Sequence, residues 1–236
     1  MPQRTPCLLL LLSVVIATGC AQTSVLKKTE GVRQPTSGSR VLLMSPDIDL
    51  YEVTAGGLWE PKADWTAAAH HHVTEALSAV LKARNTNMLA YSPPKNDPSK
   101  AQIHHQLVKL HDEVGMLILN QIGNAYLRLP TKEDKFDWSL GPDVRALRNE
   151  YGSDYGLFVF LRDGYASAGR VIVMVLAVAA FGQILPGGTQ VGFASLVDLH
   201  SGDILWFNRL INPTGNLREP EPARKAIETL LADFPL

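Results

Sequence analysis

Histidine is the side chain best suited to proton and metal chemistry near neutral pH, and this chain holds seven of them. Three are consecutive, His70-His71-His72, and three more, His104, His105 and His111, fall in one later stretch. Successive residues on a helix point about 100° apart, so three adjacent imidazoles cannot all grip one ion there. His104 and His111 lie two turns apart, about 10.5 Å along a helix axis, beyond what two imidazoles each about 2 Å from one metal can span. The zinc-protease pattern, two His four apart with Glu beside the first, does not occur. Two cysteines cannot build a four-cysteine zinc site. The expectation is a domain without a metal site and without a cofactor, its histidines solvated or facing grooves.

Hydrolysis needs a nucleophile, a base and a carboxylate. Ser195, Asp198 and His200 are close in sequence, but on a strand Asp198 and His200 share one face and Ser195 takes the other. Gly192-Phe193-Ala194-Ser195 misses the spacing of a nucleophile elbow. Neither nucleotide-binding glycine loop is present. Asp134 with Asp137, and Asp154 with Asp163, read as solvated loop acids. No catalytic residue is assigned, and the chain is expected not to be an enzyme. Lys plus Arg is 22 against 23 Asp plus Glu. Without a basic excess, a nucleic-acid partner is not expected.

The one cysteine with a clear chemical setting is Cys20. Arg4 precedes a short apolar run, Leu8 to Ile16, broken only by Ser13. A spanning helix needs about 20 apolar residues, so this run fits the core of a signal peptide. Ala17-Thr18-Gly19-Cys20 follows, and together these residues resemble a bacterial lipoprotein signal. The resemblance implies cleavage before Cys20, with residues 1–19 as the signal peptide and fatty acyl chains on the Cys20 sulfur. Cleavage also removes Cys7, so the mature domain has no disulfide and rests on packing alone. Several acyl chains on one residue give stable anchoring. Ala21 after the cysteine, by the same likeness, implies the outer membrane with the domain facing the periplasm.

Residues 20–39 are polar and rich in Ser, Thr, Gly and Pro, which predicts a lipidated flexible tether, roughly 25 Å long as a coil. From Arg40 the pattern becomes that of a folded domain over 40–236. Val41–Met44 predicts a short buried strand and Ile48–Thr54 a second extended piece. Asp64 to Arg84 predicts a helix with Ala67, Val73, Leu77, Val80 and Leu81 inward. Asn87–Tyr91 predicts a strand. Pro98 to Ala125 predicts a long helix whose seam is Ile103, Leu107, Leu110, Val114 and Leu117. A short helix over 143–151 and a doubly covered strand over 155–162 follow. Two strands, 190–199 and 203–211, are joined by a turn at His200-Ser201-Gly202. A last amphipathic helix, 219–233, turns Ala223, Ile227, Leu230, Leu231 and then Phe234 inward. The order of elements predicts an α/β (α+β) fold, one three-layer domain with a mixed sheet flanked by helices.

Two features suggest a binding surface. Val171 to Phe181 is apolar without a break, and the segment 171–185 holds no charge. As a helix it is too short to cross a bilayer; as a membrane strand it lacks the alternation expected. It reads as core, as a docking surface for a partner or a second copy, or as a membrane insertion, with packing against protein expected. Val171, Val175, Val178 and Phe181 are its candidate contacts. Trp59 and Trp138, in polar surroundings, are candidate partner anchors.

RVLLMSPDIDLYEV at 40–53, the 64–81 helix, SDYGLFVFLRD at 153–163 and QVGFASLVDLHSGDILWFN at 190–208 together resemble a family of small bacterial outer-membrane lipoproteins. Its domain is similar to those of the curli-secretion lipoprotein CsgG, the penicillin-binding-protein activator LpoB and the amino-terminal domain of TolB. The resemblance implies a mixed sheet with helices and a role in binding or assembly at the envelope, with another envelope protein or self-association as the partner. An oligomeric secretion or pore component using 171–185 is the alternative. No functional residue carries over.

Overall fold

Strand β6 (Tyr155–Ala166) organises the molecule. It is twelve residues long and buried on both faces through Leu161, as its near-continuous apolar run predicts. In the computed structural model, residues 21–28, 35, 36, 38–122, 124–127, 129–132 and 135–236 are described. The lipoprotein signal, Cys20 and Asp134 lie outside the described residues.

Three antiparallel strands stand on one side of β6: β7 (Gln190–Asp198), β8 (Ile204–Asn212) and, at the edge, β1 (Gln22–Lys27). On the other side β6 pairs in parallel with β2 (Val41–Leu43) and β3 (Asp47–Val53), which follow each other along it. Strand β5 (Met88–Ala90) extends the sheet beyond β2, and β4 (Trp59–Pro61) returns against β3. Among the described residues the sheet is mixed and has eight strands. Helices α1 (Ala63–Ala83) and α5 (Pro220–Leu230) cover one face, where Leu157, Val159, Leu161 and Trp206 join the core. Helices α2 (Pro98–Gln121) and α3 (Arg145–Tyr151) belong to the other, with Phe158, Phe193 and Phe207. The fold is the expected α/β arrangement with a helical layer on each side.

Three expectations need correction. Residues 22–27, assigned to the tether, form β1. Its register is set by β8, with Gln22 opposite Ile211 and Lys27 opposite Trp206. An open strand edge pairs with extended chain whatever its composition, and Val25 and Leu26 each add a contact to the core on opposite faces. The sheet therefore begins at residue 22, not 40.

Helix α2 is also rotated from the predicted seam. Its buried positions are His104, Leu107, His111, Asp112, Gly115 and Ile118, while Ile103, Leu110 and Leu117 face out. The cause is Gly115: a Cβ there would meet the Phe193 ring at 2.0 Å, so only glycine lets the helix lie this close to β7. In α1, Ala69 and Ala76 rather than Ala67 and Val80 complete the buried stripe.

The third correction is the apolar segment. Ser167 caps helix α4 (Ala168–Phe181) by accepting a hydrogen bond from the Arg170 amide at 3.1 Å, and Gly182 ends it at φ +64°. Arg170 is the helix's only buried residue. Both faces of the sheet are already occupied, so α4 stands away from the core instead of joining it.

Candidate functional site

Long-range pairing brings together a Ser, a His and an Asp, but not the three that are neighbours in sequence. His111 Nε2 and Ser195 Oγ lie 2.9 Å apart, joining α2 to β7. His111 Nδ1 is 3.5 Å from the Asp112 carboxylate. The imidazole stacks on Phe158 with ring centroids 4.9 Å apart and tilts against Phe193 at 5.3 Å. Ser195 is 0% exposed and His111 1%. Burial holds the His111 imidazole below its ordinary range and favours the neutral ring, against the pull of Asp112 and Asp47. The composition is that of a hydrolytic triad, but the serine is sealed beneath a helix. The arrangement supports a polar clamp between layers. Asp198 instead accepts a hydrogen bond from the His200 amide at 2.7 Å and shapes the β7–β8 turn. The expectation that the helix histidines are solvated or face grooves fails for His111, which α2 turns into the core; His104, also buried, lines a cleft.

A cleft of about 490 Å3 opens where Ser45-Pro46 interrupts the run from β2 to β3. Thr66 and His70 line it from α1, Tyr91 from the chain after β5, and His104, His105 and Lys109 from α2. At its floor, Asp47 receives Lys109 and Arg162, the latter at 2.6 Å. Burial alone would raise the Asp47 carboxyl; the two cations outweigh it and hold the group below the usual carboxylate range. These charges answer one another, so the cleft floor is a satisfied ion cluster.

His71, His72 and Glu75 offer donor atoms within 4.8 Å of one another on the open side of α1. His71 Nε2 lies 3.6 Å from the Glu75 carboxylate. Sequence reasoning considered the histidine run alone and missed Glu75 one turn on; the i, i+4 relation to His71 was the signal. The face is solvated, and among the described residues no other His, Cys, Asp or Glu group gathers as closely.

Asp163, read from sequence as a loop acid, is fully buried in β6. Its carboxylate accepts from Tyr165 Oη, from Gln190 Nε2 at 3.1 Å and from the Leu217 amide at 3.1 Å. It ties the loop before α5 to the sheet. Burial pushes its carboxyl up, with the three donors opposing.

The open surface of the molecule is apolar at α4. Val171, Ile172, Val175, Leu176, Val178 and Phe181 are 48% to 79% exposed, and Ile184 in the return loop is also open. Of the readings for this segment, packing as core is overturned by its exposure; docking on another protein and contact with membrane stay open. The return path is held by Arg170, whose guanidinium donates two hydrogen bonds to the Pro186 carbonyl at 2.9 and 3.1 Å. Trp59 lies at the same end. Its ring crosses Gly164, where a Cβ would meet it at 2.6 Å, and its centroid is 5.7 Å from that of Tyr51. Ala55 of the β3–β4 turn lies against Gly169. Trp138 does not join this group. It is half-buried at the opposite end of the strands, packed on the core under Lys132. A second open stripe, Ile103, Leu110 and Leu117, follows α2, beside a cavity of about 660 Å3 between α2 and α3.

No protein-family model matches the chain. No curated protein matches it in sequence. Among solved structures, the chain is similar to a PelC dodecamer from Paraburkholderia phytofirmans at 10% identity and a TM-score of 0.41, over 90% of this chain and 96% of that one. It is similar to the LpoB C-terminal domain from Salmonella enterica at 17% identity and a TM-score of 0.28, over 77% and 85%. Lipoprotein GNA1162 from Neisseria meningitidis gives 12% identity and a TM-score of 0.28, over 73% and 78%. Likeness at this level transfers no residue role.

Proposed function

We propose that this chain is a non-enzymatic lipoprotein of the outer membrane, anchored through Cys20 with its domain in the periplasm, that works as an adaptor or assembly factor. Its partner is another envelope protein or a second copy of itself. The observation that carries the reading is the apolar surface left uncovered on the domain at two places. Soluble monomers seldom expose apolar area of this kind; the outer stripe of α2 supplies one such surface and α4 a second. The signal-like sequence ending at Cys20 supports the location. The buried Ser195–His111 pair and the neutralised Asp47 cluster support binding over catalysis.

A pore lined by α4 as a spanning helix has no support from its length. Fourteen residues rise about 21 Å against a hydrocarbon core of about 30 Å, and among the described residues no helix is long and apolar enough to cross a membrane.

A photo-crosslinking residue in place of Leu110, in the full chain in cells, tests the reading. Discrete protein adducts are expected there and not at Glu228, an exposed control on α5. Equal yields at the two positions would sink the proposal.

A further inference from the structure

Two features of the chain meet at one end of the sheet. Cys20 stands two residues before Gln22, the first residue of β1. Two peptide units reach about 7 Å at most, so the residue assigned to lipid has almost no chain between it and the sheet. Gln22 pairs with Ile211, Ile211 with Val191, and Val191 with Arg162. That row meets β6 at Arg162, four residues before the strand ends at Ala166 and gives way to α4. Three strand spacings of about 4.8 Å put about 14 Å across the sheet between Gln22 and Arg162, and the four residues on to Ala166 add about 13 Å along β6. The start of β1, which follows Cys20 in the chain, and the end of β6, which leads into α4, therefore lie at the same end of the sheet.

The chemistry of that end matches its position. From Val171 to Thr189 no side chain carries a charge. A helix apolar all round belongs in a core or in lipid, and here the core does not take it. Leu58 and Trp59, both exposed, add to the same end from the β3–β4 turn. Tryptophan is the side chain favoured where hydrocarbon meets head groups. The other end of the strands is polar: Lys28 lies 2.7 Å from Asp137 and 3.1 Å from Asp203. The α4 end carries Glu52 and Lys62, paired at 2.7 Å, beside its apolar side chains, so the contrast lies in α4, Leu58 and Trp59 themselves.

We propose that α4, with Leu58 and Trp59, lies flat in the interfacial layer of the leaflet that receives the Cys20 acyl chains. The cover of this surface is lipid. The inference rests on the Cys20 anchor assigned above. At about 21 Å the helix is too short to span and suited to lie along the boundary between head groups and acyl chains. The anchor makes its insertion intramolecular, so a modest apolar face is enough. The domain is then held against the bilayer in one orientation, and the outer stripe of α2 is left for protein.

The lipidated full-length chain, with an environment-sensitive fluorescent amino acid in place of Val175, is reconstituted in vesicles of phosphatidylethanolamine and phosphatidylglycerol. Nitroxide carried high on the lipid acyl chains should quench this label strongly, and nitroxide at the chain ends weakly. The same label in place of Leu110 should escape both. Quenching at 175 no greater than at 110 overturns the inference in favour of a protein cover. Strongest quenching by chain-end nitroxide overturns it in favour of deep insertion. Val178→Asp, at an open position that should leave the melting temperature unchanged, should cut the shallow quenching severalfold; no change overturns the inference. Mass spectrometry of the amino-terminal peptide reads the anchor separately. Acylated Cys20 without quenching at 175 removes the inference and leaves the anchor. Shallow quenching with unmodified Cys20 removes the anchor and leaves the lipid-facing helix.

Discussion

Ser195→Ala removes one oxygen from the interior, and its consequence can be worked from the geometry. Ser195 Oγ is the partner of His111 Nε2 at 2.9 Å, and both residues are sealed from solvent. Phe158 and Phe193 flank the ring, which leaves a replacement water little room. The variant strands a buried ring nitrogen, at a cost of about 1–3 kcal/mol. With a urea slope of about 3 kcal/mol/M, the unfolding midpoint should fall by about 0.3–1 M. The parent, Ser195→Ala, His111→Phe and the double variant form a cycle. In the His111→Phe background, where no nitrogen needs a partner, Ser195→Ala should cost little. The pH dependence supplies a second check. The folded His111 binds its proton less readily than the ordinary imidazole near 6.5, and burial holds His104 down in the same direction. The unfolded chain therefore binds more protons below about pH 6.5, and stability should fall as pH drops from there. His111→Phe should flatten that slope in part, with His104 keeping the remainder. A Ser195→Ala loss below about 0.5 kcal/mol at pH 7.5, or an equal loss with and without His111, would refute the reasoning.

Gly115→Ala should cost about 1–3 kcal/mol in the same urea assay, because the added methyl enters the Phe193 ring and α2 must move off the sheet. Val175→Asp with Val178→Asp should leave thermal stability within about 0.5 kcal/mol, since both side chains are open, while raising solubility in the absence of lipid; a large loss in the melt would mean that α4 packs on the domain after all. Melts with and without chelator should overlay, because His71, His72 and Glu75 lie on the solvated side of α1 away from its buried stripe. Cys20→Ala should abolish fatty-acid labelling and lipoprotein-type cleavage; a labelled variant would contradict the anchor.

Local pattern determined much of this molecule. The stripe of α5, the two-faced burial of β6 and the β7–β8 turn follow from apolar periodicity and turn residues within about ten positions, which is the range over which such signals act. The apolar stretch after Gly169 and the chemistry around Cys20 are legible for the same reason. Four features required the assembled fold. Residues 22–27 are a strand only because β8 offers an open edge, a partner about 180 residues away in the chain. The face that α2 buries was decided by Phe193 under Gly115 and by Phe158 beneath His111, contacts that no count along the helix reveals. Ser195 and His111 are 84 residues apart and meet because strand β7 passes beneath that helix. The fate of 171–185 turned on occupancy: α1 and α5 on one face and α2 and α3 on the other leave no room against the sheet. An apolar segment announces that it must be covered. Whether its own domain has a free surface to cover it is a property of the whole packing, and here it has none.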